Sequence, residues 1–126
     1  MENKLKKILE VILTKTKNDI LKWKKVNLKI SNNRFLNFYV KKNNLLIGSI
    51  DIYESSYKDG YLFLFVNNNK NNDLQIALQP TKNVSLTKLD NIENDLLKDI
   101  LNEILEKELN FKPKEFNEFI EELLED

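Results

Sequence analysis

The sequence predicts an α+β fold, an antiparallel five-stranded meander sheet with one N-terminal helix and two C-terminal helices. Apolar residues recur at three- and four-residue steps at both ends of the chain and at every second position in between. The middle segments are separated by "SNN", "KKNN", "ESSYKDG" and "NNNKNND", polar runs too short for the crossover that a parallel pair of strands needs. A chain of 126 residues also has the size of one domain, long enough to bury roughly two-thirds of its unfolded surface, so residues 1–126 are read as a single unit.

The first helix, over about residues 3–22, follows from the stripe Leu5, Ile8, Leu9, Ile12, Thr16 and Ile20, with lysines around the rest of the cylinder. Its end is open. If it runs unbroken, Trp23 lies at the same angle as Leu5, on the buried stripe. If Asn18 and Asp19 stop it, Trp23 begins a strand opposite Val26, Leu28 and Ile30 and is half exposed. The stripe and the size of the ring favour a mostly buried tryptophan.

Strands are expected over about residues 24–79, in "VNLKI", "RFLNFYV", "LLIGSIDIY", "YLFLFV" and "DLQIAL". "YLFLFV", residues 61–66, is apolar at every position, so both its faces need cover and it belongs in the middle of the sheet. "DLQIALQ" alternates Leu74, Ile76 and Leu78 with Gln75, Ala77 and Gln79, the pattern of a strand with one wet face. A helix over about 90–109 is marked by Asp90 and Glu93 as a capping box and by Ile92, Leu96, Leu97, Ile100, Ile104 and Leu105 as its stripe. Pro113 suits the first turn of a last helix, over about 113–125, with Phe116, Phe119, Ile120 and Leu123 on one side and acids on the other.

Composition removes several chemistries. Without histidine or cysteine there is no imidazole base, no Ser-His-Asp triad, and no imidazole or thiolate metal ligand. Two glycines cannot build a phosphate-cradling loop. Asp51 and Glu54 fall on opposite faces of one strand, which argues against a paired-carboxylate hydrolase. Asp90, Asp95 and Asp99 lack the spacing and central glycine of a calcium loop. No enzyme, cofactor or metal is expected. There is neither an apolar run of spanning length nor a secretory signal, so the expectation is a cytoplasmic protein with no membrane partner.

Charge is distributed unevenly. Residues 1–63 hold 13 basic and 6 acidic groups and residues 64–126 hold 7 and 14, although the whole chain is neutral. Two interaction surfaces follow. The first is the acidic tail helix, with Glu115, Glu118, Glu121, Glu122, Glu125 and Asp126 available to a basic protein partner while the apolar stripe closes the core or docks in a groove. The second is a nucleic-acid face formed by Lys4, Lys7, Lys15, Lys22, Lys24, Lys25, Lys29 and Arg34, with Trp23 or Tyr39 stacking on bases. Against the second, specific base readers prefer arginine, and this chain has 19 lysines to one arginine. A lysine- and asparagine-rich composition is also what an AT-rich genome produces.

The run "VILTKTKNDILKWKKV", followed by a strand meander and a Leu-rich helix, resembles small accessory proteins of phages and mobile elements in AT-rich bacteria. The resemblance covers roughly residues 8–109 and rests on Leu13, Thr16, Lys17, Leu21 and Trp23. Asn18 and Asp19 stand where such proteins often have an acid and a glycine, and the tail from Phe111 is an addition. The resemblance implies a non-enzymatic inhibitor, anti-CRISPR-like in kind, that occludes a bacterial defence complex. A homodimer is also expected, because three helices leave some apolar surface on a sheet of this kind.

Overall fold

The computed structural model describes residues 2–45, 47–68, 73–90, 92, 94–110 and 114–125. Helix α1 (Glu2–Lys17) leads into strand β1 (Trp23–Lys25), helix α2 (Arg34–Lys42), strands β2 (Ile50–Tyr57), β3 (Gly60–Asn67), β4 (Asp73–Gln79) and β5 (Thr87–Lys88), and helices α3 (Asn94–Asn110) and α4 (Lys114–Glu125). The five strands form one sheet in the order β1-β2-β3-β4-β5, every pair antiparallel. The α+β meander is therefore the architecture of this chain, with β3 at its centre.

Helix α1 ends at Lys17 rather than near residue 22. Asp19 takes a left-handed backbone (φ 60°), and the Ile20 amide reaches back to the Lys15 carbonyl at 2.9 Å, which closes the helix as a glycine usually does. Ile20 leaves the expected stripe and is 58% exposed, whereas Thr16 is buried. Trp23 thus begins a strand. Its Nε1 donates to Thr16 Oγ1 at 3.0 Å, and Thr16 Oγ1 donates to the Ile12 carbonyl at 2.8 Å, so the indole lies half-buried against the end of α1. It is not in the interior.

The segment "RFLNFYV" is a helix, not a strand. Asn33 caps it, its side chain accepting from the Leu36 amide at 3.1 Å, and Phe35, Leu36, Tyr39 and Val40 then fall on one helical face. Leu36, Phe38 and Val40 share a parity as on a strand face, but Phe38 is exposed while the other two are buried, as a helix requires. "VNLKI" follows β1 as a turn rather than forming a strand, and the first strand pairing is made instead by Trp23–Lys25 against Tyr53–Ser55. The fifth strand is the short Thr87–Lys88 pair, which a run of two residues cannot announce.

Each face of the sheet has its own core. On one, Tyr53, Leu62, Leu64, Val66, Leu74 and Ile76 meet Leu9 and Ile12 of α1 and Leu97, Ile100 and Ile104 of α3. On the other, Ile50, Ile52, Phe63, Phe65 and Ala77 meet Leu36, Tyr39 and Val40 of α2. The Tyr39 ring stacks on Phe65 with centroids 4.9 Å apart. Because α2 lies there, the expected wet face of β4 is covered. Gln79 is buried with its amide satisfied, Oε1 accepting from Asn33 Nδ2 at 2.9 Å and Nε2 donating to the Val84 carbonyl at 2.9 Å. Gly60 sits where a Cβ would come within 2.1 Å of the Gln79 carbonyl oxygen, so the β2–β3 turn admits no larger residue without backbone movement.

Helix α3 begins at Asn94, a turn later than a box at Asp90 and Glu93 places it. Glu93 lies outside the described residues, and Asp90 pairs with Lys88 at 3.7 Å. The C-terminal ends of α3 and α1 meet where Lys107 Nζ donates to the Lys17 carbonyl (3.1 Å) and to Asp19 (2.7 Å).

Two measurements check this packing. Leu36→Ala, which empties the centre of the α2 face, lowers stability by about 2–5 kcal/mol in urea denaturation. Tyr39 is also sensitive to alkali. Burial, assisted by the charge of Asp90, pushes its phenol from 10.0 up to about 12. Below pH 10 the phenol is protonated in both folded and unfolded chains; above it the unfolded chain releases the proton first, so stability falls as pH rises towards 12. Tyr39→Phe removes this part of the alkaline loss.

Candidate protein-interaction site

Helix α4 stands apart from both cores. Asn117 to Glu125 are all exposed, including the apolar side chains Phe119 (58%), Ile120, Leu123 (57%) and Leu124 (81%). The helix does not close the core, which corrects that expectation. Its stripe is also wider than Phe116, Phe119, Ile120 and Leu123 suggest, because Leu124 extends it on one side.

Glu118, Glu121, Glu122 and Glu125 cover the opposite side and are exposed. Asp126 and the side chains of Glu115 and Phe116 lie outside the described residues. Glutamates at positions 118, 121, 122 and 125 are three and four apart, so they repel along the helix, and no basic residue stands in the last turn to oppose the negative end of the dipole. A lone helix of 12 residues is marginal in water even without such repulsion. Among the described residues none of these carboxylates has an ion-pair partner. A cationic surface with an apolar slot would relieve the repulsion and bury the stripe together.

The lysine face is divided by the fold. Lys24, Lys25 and Arg34 border one polar basin of about 680 Å³, beside Asn27, Asn33 and Lys82. Lys4, Lys7, Lys22 and Lys29 do not line it, and Lys15 borders a different cavity. Two of the four basin cations are engaged: Lys24 pairs with Glu54 at 3.4 Å and Lys25 with Asp51 at 3.2 Å. The bond and charge of Asp51 hold the Lys25 ammonium above its ordinary range. Arg34 lies over the Phe35 ring, 5.1 Å from its centroid. The aromatics proposed for base stacking are engaged within the fold, Tyr39 buried against Phe65 and Trp23 half-buried with its indole N–H bonded to Thr16. Tyr53 is likewise buried, which leaves Tyr61 alone of the tyrosines Tyr39, Tyr53 and Tyr61 partly open.

Lys82 was invisible as a basin residue in the sequence, since only the β4–β5 connection carries it back beside Arg34. A second cavity, of about 450 Å³ and almost wholly apolar, opens between α1 and the β2–β3 hairpin, with Val11 and Tyr57 on its walls. Val11 is the visible clue, an apolar residue set off the main stripe of α1. Among the described residues there is no group of three or more acidic, histidine or cysteine side chains able to hold a metal ion, and no helix long and apolar enough to cross a membrane.

Compared with known proteins, the chain matches no family model, no curated protein and no solved structure.

If α4 takes no part in closing the core, Leu123→Ala and the combined reversal Glu118→Lys, Glu121→Lys, Glu122→Lys each change unfolding free energy by no more than about 0.5 kcal/mol. Thermal melts followed by circular dichroism, at a concentration low enough for single chains to prevail, measure this. A large drop in Tm for Leu123→Ala would return α4 to the core.

Proposed function

We propose that this chain is a non-enzymatic binding protein that captures a basic protein partner with α4. Its action is inhibition by occlusion: a row of carboxylates is held where the phosphate backbone of a nucleic acid would lie in a basic channel, and the apolar stripe anchors the helix beside it. The observation that carries the reading is the exposed Phe119–Leu124 stripe backed by unpaired glutamates. The resemblance to phage and mobile-element accessory proteins adds the kind of target, a nucleic-acid-binding complex of bacterial defence, and a cytoplasmic site of action.

A second reading, nucleic-acid contact, is favoured by one feature, the basin that gathers Lys24, Lys25, Arg34 and Lys82. The ion pairs to Glu54 and Asp51 and the engaged aromatic rings count against it. Nucleic-acid binding would weaken steeply with salt as counterions are released, whereas a protein partner anchored by the apolar stripe need not show so steep a dependence.

Pull-down from a native host, read by mass spectrometry, tests the proposal. The wild-type chain is expected to retain a basic protein that the Glu118→Lys, Glu121→Lys, Glu122→Lys variant loses, with the loss mainly in association rate. Retention of nucleic acid alone, or equal capture of the protein by the variant, would overturn it.

A further inference from the structure

Helix α1 leaves one end of the sheet's first face uncovered. There the β2–β3 hairpin and the end of β4 form a floor with Leu62 and Leu78, α1 supplies a wall with Ile8 and Val11, and Tyr57 closes the side. The resulting groove has a volume of about 450 Å³ and almost no polar lining. Val11 is 50% exposed in it. Helix α3 contributes no lining residue to it.

The groove has a cationic rim. Lys15 and Lys58 are its lining charges, and both ammonium groups sit 5.6 Å from the centre of the Tyr57 ring, without a carboxylate partner among the described residues. At about 100° per residue, Lys4 falls on the same side of α1 as Val11 and Lys15. The stretch of α1 that lines the groove, Ile8 to Lys15, is about 10 Å long at 1.5 Å per residue, room for roughly two of the three turns of α4. Apolar walls with lysines along the edge complement a helix whose apolar stripe is bordered by Glu121 and Glu122.

We infer that this groove receives α4 from a second copy of the chain, so that two copies exchange α4 helices about a two-fold axis. The helix cannot be satisfied by its own groove as the chain is folded, since Asn117 to Glu125 are exposed. Each copy carries one helix and one groove, and a reciprocal exchange uses both twice and closes the assembly. Phe119, Ile120, Leu123 and Val11 leave water together, and Glu121 and Glu122, which have no ion-pair partner among the described residues, gain Lys15 and Lys58. The inference does not rest on the capture of a foreign partner, although that partner would compete for the same helix.

Sedimentation equilibrium at micromolar concentration tests the exchange, using a helix variant, Phe119→Asp with Leu123→Asp, and a groove variant, Val11→Asp. All three side chains are exposed in the single chain, and circular dichroism checks that both variants fold. The wild type is expected at twice the chain's 15.0 kDa and each variant alone at 15.0 kDa. Mixing the two restores one intact helix–groove contact, so the mixture gains a dimer that neither variant forms at the same total concentration. A wild type that stays at 15.0 kDa overturns the inference, whether or not its α4 amides are protected in its own groove. So does a dimer that survives both variants, or a mixture that remains monomeric.

Discussion

Strand β3 has no solvent face. From Leu62 to Val66 every side chain is buried, and alternate residues enter different cores. A strand of this kind is stable only where both faces of its sheet are covered, because each exposed large apolar side chain forgoes about 1.5–3 kcal/mol of burial. That constraint places the other elements. Helices α1 and α3 lie on one face, α2 lies on the other, and the polar atoms that α2 traps at Gln75 and Gln79 are taken up by Tyr39, Asn33 and the Val84 carbonyl.

The same constraint explains which parts of the fold the sequence discloses. The run Tyr61–Val66 announces a central strand by itself, and the stripes of α1 and α3 have enough turns to declare their period. Helix α2 does not. It is nine residues long, its apolar positions suit either period for most of its length, and its decisive signal is one capping asparagine in a chain with 19 of them. Missing α2 makes Gln75, Ala77 and Gln79 look like a wet face, since polar residues read as exposed until a partner for their amides is known. The ends of α1 and α2 were obscure for a related reason. They turn on left-handed Asp19 and Asn44 where a glycine would have marked the stop.

The candidate site shows the opposite pattern. The acidic and apolar sides of α4 are plain in the sequence, but amphipathicity alone cannot say whether a helix covers its own core or waits for another surface. That depends on where the helix lies in the folded chain, and the exposure of Asn117 to Glu125 shows that it covers neither core. The lysine face fails for a geometric reason. A list of basic residues in the first half of the chain says nothing of how β1 lays Lys24 and Lys25 beside Glu54 and Asp51. The two charge-rich regions therefore differ in kind: the fold disperses the first and pairs Lys24 and Lys25, whereas the glutamates of the second share one helix and have no ion-pair partner among the described residues.

Native-state hydrogen exchange, at a concentration low enough for single chains to prevail, tests most directly the separation of a two-faced folded unit from α4. Amides of β3 and α2 should exchange together, through global unfolding only, while those of α4 exchange through local fraying at far lower free energy. If α2 opened independently of β3, or if α4 were protected as strongly as the central strand, the division of the chain into a closed sheet and a free acidic helix would be contradicted.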